Sequence, residues 1–122
     1  MPALLQAFEL QGRAHRAGFK WKTLDGLLKK LDEELQELKQ AAKSGRKKAF
    51  EEELGDLLFM ITNFARWRKL NAEEALLSAN QKFRKRFAKL QSILAKEKRK
   101  LSDCSEEELE RLWRKTKKSH AT

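Results

Sequence analysis

Apolar residues recur at helical spacing along most of the chain, and glycines and polar pairs break the pattern into five stretches. Leu4, Leu5, Phe8 and Leu10 open an amphipathic segment that runs to about Ala17, with Pro2 suited to its first turn and Gly18 stopping it. Phe19, Trp21 and Leu24 lie in the following connection and are expected to anchor it to the core. A second helix is predicted from about Leu24 to Lys43, its stripe marked by Leu27, Leu28, Leu31, Leu35 and Leu38. Ser44-Gly45 breaks it. A third helix is predicted from about Arg46 to Arg68, with Phe50, Leu54, Leu57, Leu58, Ile61, Phe64 and Ala65 facing inward. Asn71 with Glu74 has capping-box spacing and opens a fourth, carrying Ala75, Leu76, Ala79, Phe83, Phe87, Leu90 and Leu94. After a break at Leu101–Cys104, Ser105 with Glu108 repeats that signal, and Leu109, Leu112 and Trp113 mark a last helix ending near Lys118.

Composition agrees with a helix-only reading. Among the 122 residues are 20 Leu and 14 Ala but no Val, no Tyr and two Ile, so the residues that favour strands are mostly missing. An all-β or doubly wound α/β fold is excluded, and an all-α fold of four to five helices in a single domain, residues 1–118, with a short flexible tail at 119–122, is expected. No apolar run approaches the ~18 residues of a membrane span, and no signal peptide is visible. Cys104 is the one cysteine, which excludes an internal disulfide and suits a reducing compartment. A soluble, cytoplasmic protein is expected.

The acids are clustered. Asp32, Glu33, Glu34 and Glu37 form one group, and Glu51, Glu52, Glu53 and Asp56 another; together they hold 8 of the 18 acids. Residues at i and i+3 share a helix face, which pairs Glu34 with Glu37 and Glu53 with Asp56. The break at Ser44-Gly45 makes the second and third helices an antiparallel hairpin. Glu37 lies seven residues before Ser44 and Glu53 eight after Gly45, so the pairs face each other at matching heights. Four converging carboxylates repel one another unless a cation intervenes, and an all-oxygen set selects a hard ion such as Mg²⁺, with Mn²⁺ as a substitute. A solvated acidic face would explain one such pair. It is a weaker explanation for two pairs in register that border an apolar stripe.

The net charge of +10 points to polyanions. Residues 82–100 hold nine Lys or Arg and one acid. Lys82 and Arg86 share a face and directly precede Phe83 and Phe87; a Lys point charge beside a planar Arg fork suits a polyphosphate. Lys96 to Lys100 reads instead as a solvated basic face or nucleic-acid stripe. His15 and His120 are too isolated for a metal cluster, Cys104 has no nearby His in sequence, Met60 is core filler, and Trp21 is read as a core anchor rather than a base-stacking platform.

The arrangement resembles the MazG family of nucleoside triphosphate pyrophosphohydrolases. The family's acidic motif reads here as Glu33-Glu34-Leu35-Gln36-Glu37 and then Glu53-Leu54-Gly55-Asp56. Leu10-Gln11-Gly12-Arg13-Ala14 through Gly18-Phe19-Lys20-Trp21 is similar to its first helix and turn. Ala79-Asn80-Gln81-Lys82-Phe83-Arg84-Lys85-Arg86-Phe87 matches its Asn-x-Lys-Phe-x-x-Arg-Phe pattern, and Glu107 through Trp113 and Lys117 resembles its C-terminal helix. The likeness is to the C-terminal half of the two-domain bacterial members. Lys20 stands where an acid is usual, and Arg68-Lys69 where Leu-Gly is typical.

The resemblance implies a homodimer of helical hairpins that cleaves nucleoside triphosphates to the monophosphate and pyrophosphate with Mg²⁺, in nucleotide-pool housekeeping or a stress-linked role. It implies that Glu34, Glu37, Glu53 and Asp56 hold the metal, and that Glu33 and Glu52 are supporting acids or help orient water. Lys82 and Arg86 would bind the phosphates, and Lys30, Trp113 and Lys117 would line the site. Water would be activated by the metal or by Glu34, Glu37 or Glu53. Two other functions remain to be weighed: a basic helical nucleic-acid-binding module, which leaves the matched acids unexplained, and a catalytically inactive dimerisation module, which would not need all these residues together.

Overall fold

The chain is described here by a computed structural model, which covers residues 1–118; the expected tail at 119–122, with His120, lies outside the described residues. Among the described residues the regular elements are α1 (Ala3–Arg16), α2 (Leu24–Ser44), α3 (Lys47–Trp67), α4 (Ala72–Lys96), a 3-10 turn (Leu101–Asp103) and α5 (Glu106–Lys118). The fold is all-α, as the periodicity predicts, and no strand occurs among these residues.

The helix ends follow local chemistry. The Thr23 hydroxyl accepts the Gly26 N–H (3.0 Å) at the start of α2, and the Asn71 side chain accepts the N–H groups of Glu73 and Glu74 at the start of α4. Ser105 and Glu108 form the capping box of α5: Glu108 N–H donates to Ser105 Oγ (3.1 Å), and Ser105 N–H donates to Glu108 Oε1 (3.5 Å). Glu108 also pairs with Arg99 at 2.8 Å; that bond and the Ser105 N–H hold its carboxyl below the usual range.

Helix α1 ends in a Schellman motif, with Phe19 N–H donating to Ala14 O (2.8 Å) and Gly18 N–H to His15 O (3.0 Å), and Gly18 takes the left-handed conformation this requires. The same two bonds recur where α3 ends, Leu70 N–H to Ala65 O and Lys69 N–H to Arg66 O. There the left-handed position is held by Lys69, at φ 58°. Lys98 occupies the equivalent position after α4, at φ 55°.

The chain divides into two compact units, Met1–Ala75 and the part from Leu76 on. In the first, α2 packs antiparallel on α3 across the short turn at Gly45 (φ 74°), and α1 also packs on α3. Leu27 is fully buried, with Ala41 and Met60. In the second, Leu90, Leu94 and Leu112 form a core flanked by Phe87, Ile93, Leu101, Cys104 and Trp113.

The expected core is too wide. Phe50, Leu54, Leu58 and Ile61 of α3, Leu28 and Leu35 of α2, and Leu76 and Phe83 of α4 are 37–54% exposed. Ala75 and Ala79 are exposed as well. The reason in α2 and α3 is geometric: each carries an apolar stripe broader than one neighbouring helix covers, so one flank of each is left bare. The anchoring role expected of the α1–α2 connection is also corrected. Phe19 is 85% exposed, because the left-handed Gly18 turns the chain outward just before it, and Trp21 and Leu24 are exposed too. Met60, at 5% exposed, is core filler as expected.

Lys69 carries the steric cost that Cβ imposes in the left-handed region, about 1 kcal/mol. Replacing Lys69 with Gly is expected to stabilise the chain by that order, since the Schellman bonds remain. A thermal melt by circular dichroism checks it; a lower midpoint for Lys69→Gly would contradict the assignment.

Candidate active site

The hairpin turn sets the register of the acidic groups. Glu34 and Glu37 on α2 and Glu53 on α3 each offer a carboxylate oxygen, and these atoms lie within 4.8 Å of one another. Asp56, one turn after Glu53, is not part of this three-residue group. It stands close enough for its charge to act on Glu53, and it lines the adjoining groove. The acids sit where the apolar stripe meets the groove: Glu34 is buried, Glu53 half-buried, Glu37 and Asp56 exposed.

Burial and crowding make these groups interdependent. Desolvation first, then the hydrogen bond and charge of Glu37, then Asp56 and Glu34, push the Glu53 carboxyl above its ordinary range. Lys30, one turn before Glu34, lies 3.4 Å from Glu34 Oε1 and 3.5 Å from Glu33 Oε2; these carboxylates raise its pKa, the bond to Glu34 contributing most. The side chain that the family resemblance places in the lining of the site is thus engaged with two acids. The second oxygens of Glu34 and Glu53 are buried without a hydrogen-bond donor. Two orphaned carboxylate oxygens in a three-acid cluster fit a hard divalent cation, which satisfies lone pairs and neutralises charge together. Glu33 and Glu52 are exposed at the edge of the two acidic turns.

A groove of about 940 Å³ adjoins the cluster within the first unit, with Lys30, Glu34 and Asp56 in its lining. Its other walls include Phe19, Trp21, Phe59 and Trp67, with Gln11, Asn63 and Arg66 among the polar groups. Trp21 is therefore a wall of an open groove and not a core anchor. Gln11 enters the sequence reading only within the segment 10–14 that resembles the family's first helix, and Asn63, Arg66 and Trp67 do not stand out. The signal for the last group is helical spacing: Asn63 and Trp67 share a face at i, i+4, as do Phe59 and Asn63.

The remaining predicted residues lie in the second unit. Lys82 is exposed on α4. Arg86 is half-buried and joins α4 to α5: its Nε donates to Thr116 Oγ1 and its Nη2 to Trp113 O, each at 3.0 Å, and its guanidinium lies 4.1 Å over the Trp113 ring. Trp113 also meets Phe83, ring centroids 5.4 Å apart. Arg86 and Trp113 are thus brought together, and Lys117 is exposed one turn further along α5.

Residues 22–91 match the family model of the MazG nucleotide pyrophosphohydrolase domain, a window that holds Lys30, the acids, Lys82 and Arg86. The chain is 41% identical over 117 residues to the nucleoside triphosphate pyrophosphohydrolase/pyrophosphatase MazG of Thermotoga maritima, covering 96% of this chain and 45% of that protein. It is 37% identical over 122 residues to the nucleoside triphosphate pyrophosphohydrolase of Escherichia coli K12, covering 97% and 46%. A shorter match, 40% over 67 residues, covers 14% of the Bacillus subtilis protein YabN. The chain spans about half the length of the first two relatives.

Crowded acids have a measurable consequence. A folded-state pKa raised above the unfolded value means the folded chain binds more protons in that window, so stability falls as pH rises from about 4.5 through the raised value. Glu53→Gln, which cannot ionise, is expected to escape that loss. In a chelator its melting temperature should exceed the parent's by a few degrees at neutral pH, and the gap should close toward pH 4. An equal gap at both pH values would contradict the electrostatic account.

Proposed function

The chain belongs to the MazG nucleotide pyrophosphohydrolase domain family, and on that premise we propose that it hydrolyses nucleoside triphosphates to the monophosphate and pyrophosphate. The observation that carries this reading is the cluster of Glu34, Glu37 and Glu53, with its two orphaned buried oxygens, opening onto a groove large enough for a nucleotide. Glu34, Glu37 and Glu53 would hold Mg²⁺, with Asp56 beside them. When bound, the ion would supply charge neutralisation at the phosphate oxygens and Lewis acidity toward the attacking water.

The chain's own residues do the rest. A carboxylate of the cluster takes the proton of the attacking water as the new P–O bond forms and the phosphoanhydride bond breaks. Lys82 and Arg86 bind phosphate oxygens and offset charge on the departing pyrophosphate. Arg86 is fit for this because the Trp113 ring and Thr116 hold its plane in place while the fork retains donors beyond the two they use. Trp113 and Lys117 would contact the substrate, and Glu33 and Glu52 support the acids. The Lys30 ammonium pairs with Glu34 until the substrate arrives and then turns to its phosphates. The role is clearance of nucleotides from the pool, as housekeeping or under stress.

A second copy of the chain is proposed to cover the bare flank of α2 and α3. Leu28, Leu35, Leu54, Leu58 and Ile61 are 37–48% exposed there, and a second copy would take these apolar side chains out of water.

Two measurements test the reading. With Mg²⁺ and a panel of triphosphates, the parent should release monophosphate and pyrophosphate. Glu53→Gln and Asp56→Asn should each lose about 10²-fold or more with helicity retained, and a chelator should abolish release. Full activity in both variants would sink the site. Light scattering on a sizing column should give twice the 14.3 kDa chain mass; a monomer at micromolar concentration would overturn the dimer.

A further inference from the structure

The groove contains two buried polar atoms that the chemistry above does not use. Gln11 is 6% exposed. Its Nε2 donates to Phe59 O at 2.8 Å, which fixes the amide and leaves Oε1 buried with no donor. Arg66 donates from Nη2 to Phe8 O at 2.8 Å and lies 4.3 Å over the Phe8 ring, and its Nε–H is buried with no acceptor. The guanidinium reaches this position because residue 12 is glycine: a Cβ there would stand 2.6 Å from Nη2. Both side chains line the groove that also takes in Glu34 and Asp56.

A buried acceptor and a buried donor, each fixed by a backbone carbonyl and each left over, are costly unless a ligand completes them. A ligand that completes both presents an N–H donor and an acceptor. The walls are aromatic, from Phe19, Trp21, Phe59 and Trp67, so they suit a flat ring. We propose that Gln11 and Arg66 read the hydrogen-bonding edge of a nucleobase lodged in this groove, the Gln11 carbonyl taking a base N–H and the Arg66 Nε–H donating to a ring nitrogen or exocyclic oxygen. The inference rests on the pyrophosphohydrolase reading for the identity of its ligand, and it assigns base recognition to α1 and the end of α3.

Titration calorimetry on the intact chain tests it, with AMP, CMP, GMP and UMP as probes. Two controls are ribose 5-phosphate, which has no base, and purine riboside 5′-monophosphate, whose base carries ring acceptors and no N–H donor. At least one of the four nucleotides should bind more tightly than both controls. Gln11→Leu and Arg66→Lys should each weaken that nucleotide about tenfold and leave ribose 5-phosphate unchanged. Thermal melts of both variants accompany the titrations. Loss of melting temperature with an unchanged ratio of nucleotide to ribose 5-phosphate affinity would show a purely structural role and overturn the proposal, as would equal weakening of both ligands. If base-dependent binding responds to the variants but no triphosphate is cleaved, the pyrophosphohydrolase reading falls and the base pocket stands. If triphosphates are cleaved but base dependence is untouched by either variant, the base pocket falls and the pyrophosphohydrolase reading stands.

Discussion

Three carboxyl groups with oxygens inside 4.8 Å of one another, one of them buried and one half-buried, repel each other in surroundings that screen charge poorly. The hairpin of α2 and α3 is held together by leucines, alanines and Met60 against that repulsion. Protein atoms answer only part of it. Lys30 neutralises one side of Glu34, while the second oxygens of Glu34 and Glu53 have no donor. Such a cluster is a stability cost to the chain by itself, and a cation held there, as proposed, would convert that cost into affinity.

The surroundings of the cluster follow the same division. Apolar surface inside the first unit goes to Leu27, Ala41 and Met60, which brace the hairpin below the acids. The polar groups that remain buried there, Gln11, Glu34 and Thr62, border or support the groove. Thr62 is satisfied by Phe59 O at 2.6 Å, the same carbonyl that takes the Gln11 amide. One backbone group of α3 thus ties α1 to the hairpin and orients a side chain that faces the groove.

The acids are legible in the sequence because their information is local. Spacing of three places a pair on one face, and a single Ser-Gly break fixes where the chain reverses; Glu34, Glu37 and Glu53 then meet by counting. Asp56 shows the limit of counting, since the same spacing leaves it beside the cluster rather than within it. Helix ends are equally local, and the box at Ser105 and Glu108 forms as its residues indicate. What covers a stripe is not local. Leu54 and Leu57 look alike in sequence, yet Leu57 is half-buried and Leu54 exposed, because burial depends on which flank of the stripe a neighbouring helix covers. The meeting of Gln11 with Arg66 in one groove is not legible in the sequence for a related reason: an amide and a guanidinium 55 positions apart carry no shared pattern, and nothing in the segment that holds Gln11 and Gly12 points to residue 66. Arg86 and Trp113 each stand out in the sequence, but their stacking on one another does not.

The connection at Gly45 and Arg46 bears on how such a chain can change over time. It joins α2 to α3 with two residues, and an added residue taken up by either helix rather than by the turn would rotate that helix by about 100° and advance it by about 1.5 Å relative to its partner. Surface turns usually tolerate insertions and deletions, but this one works as a gauge block. Its two residues, together with the packed apolar stripe, set which side chains of α3 look across at Glu34 and Glu37. A substitution at Arg46 leaves the spacing unchanged, whereas an inserted residue taken up by α3 would swing Glu53 away from Glu34 and Glu37, two helical turns from the change, without altering any residue of the cluster.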